Sequence, residues 1–181
     1  MRSATFVSTV SFDAGVLPRR SPAEVRSLSP AEPALLAITD FTREYPVTVD
    51  AERQIDDALD DMIRLGVRAL LVYQEQRIVG LITSYDIQGE RPMQFLQQSN
   101  YSHHRDIRVA DIMTPWDALA ALNWDTLQEM RAGDLLHLLE EAGLTHLIVV
   151  EVDRKNSSCI IRALVSRARL VRQLSGMRRT H

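Results

Sequence analysis

A chain of 181 residues, 45% apolar and 25% charged, has the composition of a folded globular protein. It is long enough for one ordinary domain or for two half-domains sharing a core. A net charge of −3 gives no global field for nucleic acid, and a single cysteine, Cys159, excludes an internal disulfide and a thiolate metal cage. No apolar run reaches signal-peptide length or the roughly 18 residues of a membrane span, so a soluble, cytoplasmic protein is expected, with no membrane partner.

Residues 1–34 hold Pro18, Pro22, Pro30 and Pro33 with several serines and read as an irregular N-terminal arm, in which TFVSTVSF (4–11) has the composition of a short edge strand. PVTVD (46–50) reads as a strand ending at a helix cap. The helix that follows, AERQIDDALDDMIRLG (51–66), places Ile55, Leu59, Met62 and Ile63 on one face. Its acids crowd the end where the helix dipole favours negative charge, and Gly66 stops it. VRALLVY and RIVGLIT are strands joined by the turn QEQ. A helix starts after Thr83 and is limited by Gly89 and Pro92. A polar connector leads to the strand-like RVADIMTP (108–115).

The same order then recurs. ALAALNW is extended, and MRAGDLLHLLEEAG is a helix with Leu135, Leu138, Leu139 and Ala142 on one face. LTHLIVVEV and CIIRALVS are strands around the polar turn DRKNSS, and RARLVRQL is a closing helix. Aligning Gly66 with Gly143 brings Val67 onto Leu144, Leu70 onto Leu147 and Val72 onto Val149. A few extra residues in the second hairpin bring Leu81, Ile82 and Thr83 onto Leu164, Val165 and Ser166. This is an internal duplication of roughly sixty residues per copy. A three-stranded sheet with helices on one face leaves its other face bare, so two copies should cover each other about a pseudo-twofold axis.

GLITSYD (80–86) closes the second strand of the first copy. Thr83 and Asp86 have the spacing of a capping box, in which the Thr hydroxyl accepts an amide hydrogen bond and the acid reaches back to the Thr amide. The same residues suit a ligand: a helix start offers free amides to phosphate, and a carboxylate there can accept both ribose hydroxyls. In the second copy ALVSRAR keeps Ser166 but has Ala163 for the glycine and Arg169 for the acid. A guanidinium accepts no hydrogen bond, so Arg169 either ends the site or pairs with phosphate.

Together VADIMTP, the shorter AITDF (37–41), the twice-repeated β-α-β-β-α order and GLITSYD resemble a tandem pair of cystathionine-β-synthase (CBS) domains, or Bateman module, over about residues 36–174. The family pattern is Gly, two aliphatics, Thr or Ser, two free positions and Asp. The first copy meets it fully, whereas Leu71 stands where Pro is common. The resemblance implies an α/β fold of two packed β-α-β-β-α repeats, divided as arm 1–34, first repeat 35–91, connector 92–107, second repeat 108–174 and basic tail 175–181. It implies a flat homodimer that requires no cofactor and binds a regulatory ligand of the AMP, ADP, ATP, S-adenosylmethionine or cyclic di-AMP class. With no enzyme or channel in the chain, a stand-alone module acting on an unidentified regulated protein is expected. Carried over from the family, Thr39 with Asp40, and Val67, Arg68 and Ala69, would flank the base beside Thr83 and Asp86. Thr114 and His146 are their second-copy equivalents.

No nucleophile–base pair, metal constellation or glycine-rich phosphate cradle is visible, so the chain reads as a binding protein and not an enzyme. A ligand-free dimerisation scaffold with decayed sites is the alternative. A third reading uses the six arginines from Arg162 onward, with no acid among them, as a contact for nucleic acid; a solvated helix face weighs at least equally. Adjacent His103 and His104 read as a solvated pair, His137 as a polar helix edge, Cys159 as a small buried hydrophobe, and Trp116 and Trp124 as core or interface anchors.

Overall fold

The computed structural model of the chain describes residues 26–99, 101, 103–153 and 158–176. The expected strand at 4–11, most of the turn DRKNSS and residues 177–181 of the basic tail lie outside the described residues. After a 3₁₀ turn at Ala34–Leu36, the first half runs β1 (Thr39–Asp40), β2 (Thr48–Asp50), α1 (Ile55–Leu65), β3 (Ala69–Gln74), β4 (Arg77–Thr83) and α2 (Ser84–Gln88). Next come α3 (Arg91–Gln98), α4 (Val109–Ile112) and β5 (Thr114–Pro115). The second half is β6 (Ala121–Asn123), α5 (Trp124–Glu129), α6 (Ala132–Glu141), β7 (His146–Asp153), β8 (Ser158–Ser166) and α7 (Arg167–Ser175). These are the two β-α-β-β-α repeats expected from the duplication, with α5 inserted in the second.

Each repeat lends its opening strand to the other. One sheet has the order β2-β3-β4-β5 and the other β1-β8-β7-β6. Thr39 of β1 lies opposite Leu164, and Thr114 of β5 lies opposite Leu81. The segments leading into β1 and β5 cross in the same way. Val109 N donates to Arg53 O and Ile55 N to Ile107 O, while Ala34 N donates to Met130 O and Ala132 N to Glu32 O. Leu28, Ala34 and Ala37 are consequently buried in the core of the second repeat, and Ile107, Val109 and Ile112 in that of the first. The arm residues from 26 onward are irregular but pinned, with Leu28 fully buried.

Alternation along β3 sends Leu70 and Val72 toward α1 and leaves Ala69 and Leu71 on the other face. There they meet Leu81 and Ile148 in a third apolar cluster that joins the two sheets. Burial of both faces explains why these strands read as continuous apolar runs.

Several local expectations need correction. In α1 the inner positions are Ile55, Ala58 and Met62, and Ile63 is 69% exposed, because the stripe runs i, i+3, i+7 and leaves Ile63 on the outer edge. In α6 they are Ala132, Leu135 and Leu139, while Ala142 caps the helix and is exposed. VADI is helical: Asp111 Oδ2 accepts the Arg108 amide at 2.8 Å and stabilises the turn. The polar connector contains α3, which Pro92 opens rather than the preceding helix ends. Cys159 is exposed, not buried.

Gly80 has a steric cause. A Cβ there would lie 2.5 Å from Thr114 O and 2.9 Å from Met113 Sδ, so only glycine lets β5 approach β4. Gly66 and Gly143 end equivalent helices with φ of 69° and 64°, the left-handed region that glycine enters without penalty.

Candidate functional site

At the start of α2, Thr83 and Asp86 form a complete capping box. Asp86 N donates to Thr83 Oγ1 at 3.3 Å, and Asp86 Oδ2 accepts the Thr83 amide at 2.8 Å and its hydroxyl at 2.7 Å. The other carboxylate oxygen, Oδ1, lies 3.0 Å from the Arg91 guanidinium. The same guanidinium nitrogen donates to Ile112 O at 2.9 Å and Thr114 Oγ1 at 3.1 Å, tying α2 and α3 to the segment that enters β5. Both oxygens of Asp86 are thus engaged by groups of this chain.

At the start of α7, Ser166 makes no side-chain cap. Arg169, the counterpart of Asp86, reaches across the fold and donates to Thr39 Oγ1 at 2.9 Å. Thr39 and Thr114 occupy equivalent places in β1 and β5, and each accepts a guanidinium hydrogen bond, one from α7 and the other from α3.

Between the repeats lies a cavity of about 610 Å³. Val47, Leu59, Val67, Ala69, Leu71 and Leu164 supply its apolar wall, and Thr39, Ser84 and Ser166 bring hydroxyls. Arg68, Arg169 and Arg172 bring positive charge, and Glu44 is the only acid among the described residues that line it. The structure therefore gathers Thr39, Val67, Arg68, Ala69, Ser166 and Arg169 in one place.

Thr83, Asp86 and Asp40 do not line this cavity. Because β1 pairs with β8, Thr39 Oγ1 is held by Arg169 at the α7 start, and the α2 start reaches the same cavity through Ser84 and Tyr85, next to Thr83. Asp40 serves its own turn, its Oδ1 accepting the Thr42 amide at 2.9 Å and the Thr42 hydroxyl at 2.7 Å. Burial pushes the Asp40 carboxyl up, but these hydrogen bonds and the guanidinium groups of Arg162 and Arg43 outweigh it and hold the group below its usual value.

His146 is the mate of Ala69 and reaches the same cavity. Its imidazole is 9% exposed, and Nδ1 lies 3.2 Å from Thr145 Oγ1. Burial, reinforced by Arg68 and opposed by Asp86, pushes it down to about 4, so it is neutral at physiological pH. Glu44, Tyr45, Tyr85 and Arg172 were not singled out from the sequence. Tyr85 occupies a free position of GLITSYD, and Arg172 follows Arg169 at the i+3 spacing of one helix face, so both carried a signal. Glu44 and Tyr45 sit in the β1–β2 loop, where no periodicity marks them.

The other described histidines are solvated. His103 is near Asp106, His104 near Asp56 and His137 near Glu141. Among the described residues no three His, Cys, Asp or Glu side chains converge as metal ligands, and no helix is long and apolar enough to cross a membrane. Trp124 packs on the second core beneath the Arg162 guanidinium, 4.5 Å from its ring centre.

Residues 38–91 match the CBS domain family. Among solved structures, the chain is similar to CBSX2 in complex with AMP (22% identity, 82% of this chain and 99% of that one, TM-score 0.51). It is also similar to the CBS domain of the bacterial CNNM/CorC family Mg²⁺ transporter in complex with ATP (19%, 81% and 89%, TM-score 0.51). A conserved protein from Pyrococcus horikoshii is a third likeness (19%, 85% and 98%, TM-score 0.54). No curated protein matches the chain. The fold is that of two CBS repeats closed on each other, and the family match falls on the first of them.

Proposed function

We propose that this CBS pair is a regulatory module that binds an adenosine-containing ligand between its repeats and transmits occupancy to a partner protein. The cavity carries this reading. Its volume is that of a small-molecule site, and it pairs an apolar wall for a base with three guanidinium groups for phosphate. Structures of the same fold hold AMP in CBSX2 and ATP in the CNNM/CorC transporter domain, which supports the ligand class.

A ligand here would touch β1 and α7 on one side and β3 and the end of α1 on the other, and so span both repeats. It stiffens their mutual packing only to the extent that it binds the closed arrangement better than a looser one. The module works in this reading as a cytoplasmic homodimer without catalysis. Leu65 on α1, exposed and outside the cavity, is surface for assembly or for the regulated protein.

Binding is tested by thermal shift with AMP, ATP, S-adenosylmethionine and cyclic di-AMP. A rise in melting temperature with at least one of them is expected. No rise with any would favour the scaffold reading, for which the internally bonded Asp86 and Arg169 are the supporting observation.

A further inference from the structure

Arg68, Arg169 and Arg172 all reach the cavity, yet each hydrogen-bonds there only to a neutral acceptor. Arg169 donates to Thr39 Oγ1 at 2.9 Å, Arg68 to Tyr85 OH at 3.3 Å and Arg172 Nε to Ala168 O at 3.3 Å. Among the described residues none of the three pairs with a carboxylate. Arginines elsewhere are matched, Arg53 by Asp61, Arg91 by Asp86 and Arg108 by Glu52. A guanidinium carries five donors, so most of the capacity of these three groups is unspent, and Glu44 is the only acid among the described lining residues to set against their charge.

The position of Arg169 sharpens this. Its pseudo-twofold mate is Asp86, so exchanging one half for the other replaces a negative group by a positive one at the same point of the fold. An acid there would accept hydrogen bonds from ribose hydroxyls or attract a sulfonium. A guanidinium does neither and pairs with phosphate in a planar fork. His146, nine-tenths buried beside these groups, is neutral and leaves the arginines as the source of the charge.

We infer that the cavity discriminates among adenosyl compounds by phosphate charge, with Arg169 as the specificity-determining residue, so that nucleoside polyphosphates are its ligands and S-adenosylmethionine is rejected. The inference rests on the adenosine reading above and narrows it. Charge-assisted hydrogen bonds to a desolvated phosphate are strong enough for about a tenfold gain per well-placed guanidinium.

The test is calorimetric titration of the full chain with adenosine, AMP, ATP, S-adenosylmethionine and inorganic tripolyphosphate, at low and high salt. ATP should bind at least about tenfold tighter than adenosine, AMP should lie between them, and the gap should shrink with salt. In Arg169→Asp the ratio of ATP to adenosine affinity should collapse toward one. Arg169→Gln should move it the same way if the first variant melts too early to titrate. Adenosine or S-adenosylmethionine binding within about threefold of ATP, or an unchanged ratio in both variants, overturns the inference while leaving the adenosine reading intact. Arg169-dependent binding of tripolyphosphate with no nucleoside bound overturns the adenosine reading and this inference with it, and leaves a site for phosphate alone. If nothing binds, tripolyphosphate included, both fail.

Discussion

Arg169 and Thr39 are 130 positions apart in the chain and 2.9 Å apart in space, joined by a guanidinium–hydroxyl hydrogen bond. The bond fastens the opening strand of the first repeat to the closing helix of the second. It reinforces an exchange that the backbone makes over only two ladder positions, Thr39 with Leu164 and Asp40 with Ala163. So short a strand depends on its side chains. Thr39→Val keeps the shape and removes the acceptor, and should cost about 1 kcal/mol in urea denaturation. A variant as stable as the parent would show that β1 is held by its ladder and apolar neighbours alone.

The glycine of the motif and its alanine mate should both resist exchange, although each occupies the same place in its own repeat. Gly80→Ala drives a methyl to 2.5 Å from Thr114 O and should lose roughly 1–3 kcal/mol as β5 is pushed away. Ala163→Gly deletes a fully buried methyl beside β1 and loosens the strand, and should lose about 1 kcal/mol. If either substitution stabilises the fold, the two strand exchanges are not packed as described.

His146 gives stability a pH dependence of predictable sign. Its folded value of about 4 lies below the ordinary value of 6.5, so the unfolded chain binds the extra proton between those limits. Stability is full above pH 6.5 and is lost as pH falls toward 4, by roughly 3 kcal/mol from this group. His146→Gln, measured by urea denaturation at pH 7 and pH 4.5, should flatten the wild-type difference. An equal pH slope in the variant would assign the acid sensitivity to carboxylates instead.

Much of this is legible in the sequence alone. Gly66 and Gly143 anchor the duplication because both end a helix in the left-handed region, a demand written into residue identity. Burial of both strand faces makes ALLV and LIVV unbroken apolar runs, so the strands were plain. The strand exchange was not: a two-residue strand has no periodicity, and nothing in AITDF tells which sheet it joins. That Thr39 is held by Arg169 of the second repeat was hidden by that single gap. The engagement of Asp86 by Arg91 was also hidden, since Arg91 is the last residue of the first repeat, in a polar stretch with no periodicity to mark it. Exposed Ile63 and Cys159 show the usual limit of hydrophobicity as a guide to position, because a folded surface retains much apolar area.

The role of Asp86 separates architecture from ligand binding most directly. It caps α2, neutralises Arg91 and stands outside the cavity walls. Asp86→Ala removes the cap and leaves a half-buried guanidinium to find water, so stability should fall by about 1–3 kcal/mol. Ligand affinity at the cavity should change by less than about twofold, under 0.5 kcal/mol, once both proteins are compared well below their melting temperatures. Arg91→Ala should copy the stability loss, and the double variant should lose less than the sum of the two, as contacting residues do. Should Asp86→Ala instead abolish nucleotide binding while the fold survives, the carboxylate must turn from Arg91 to the ligand on binding, and the first repeat would then hold the sugar after all.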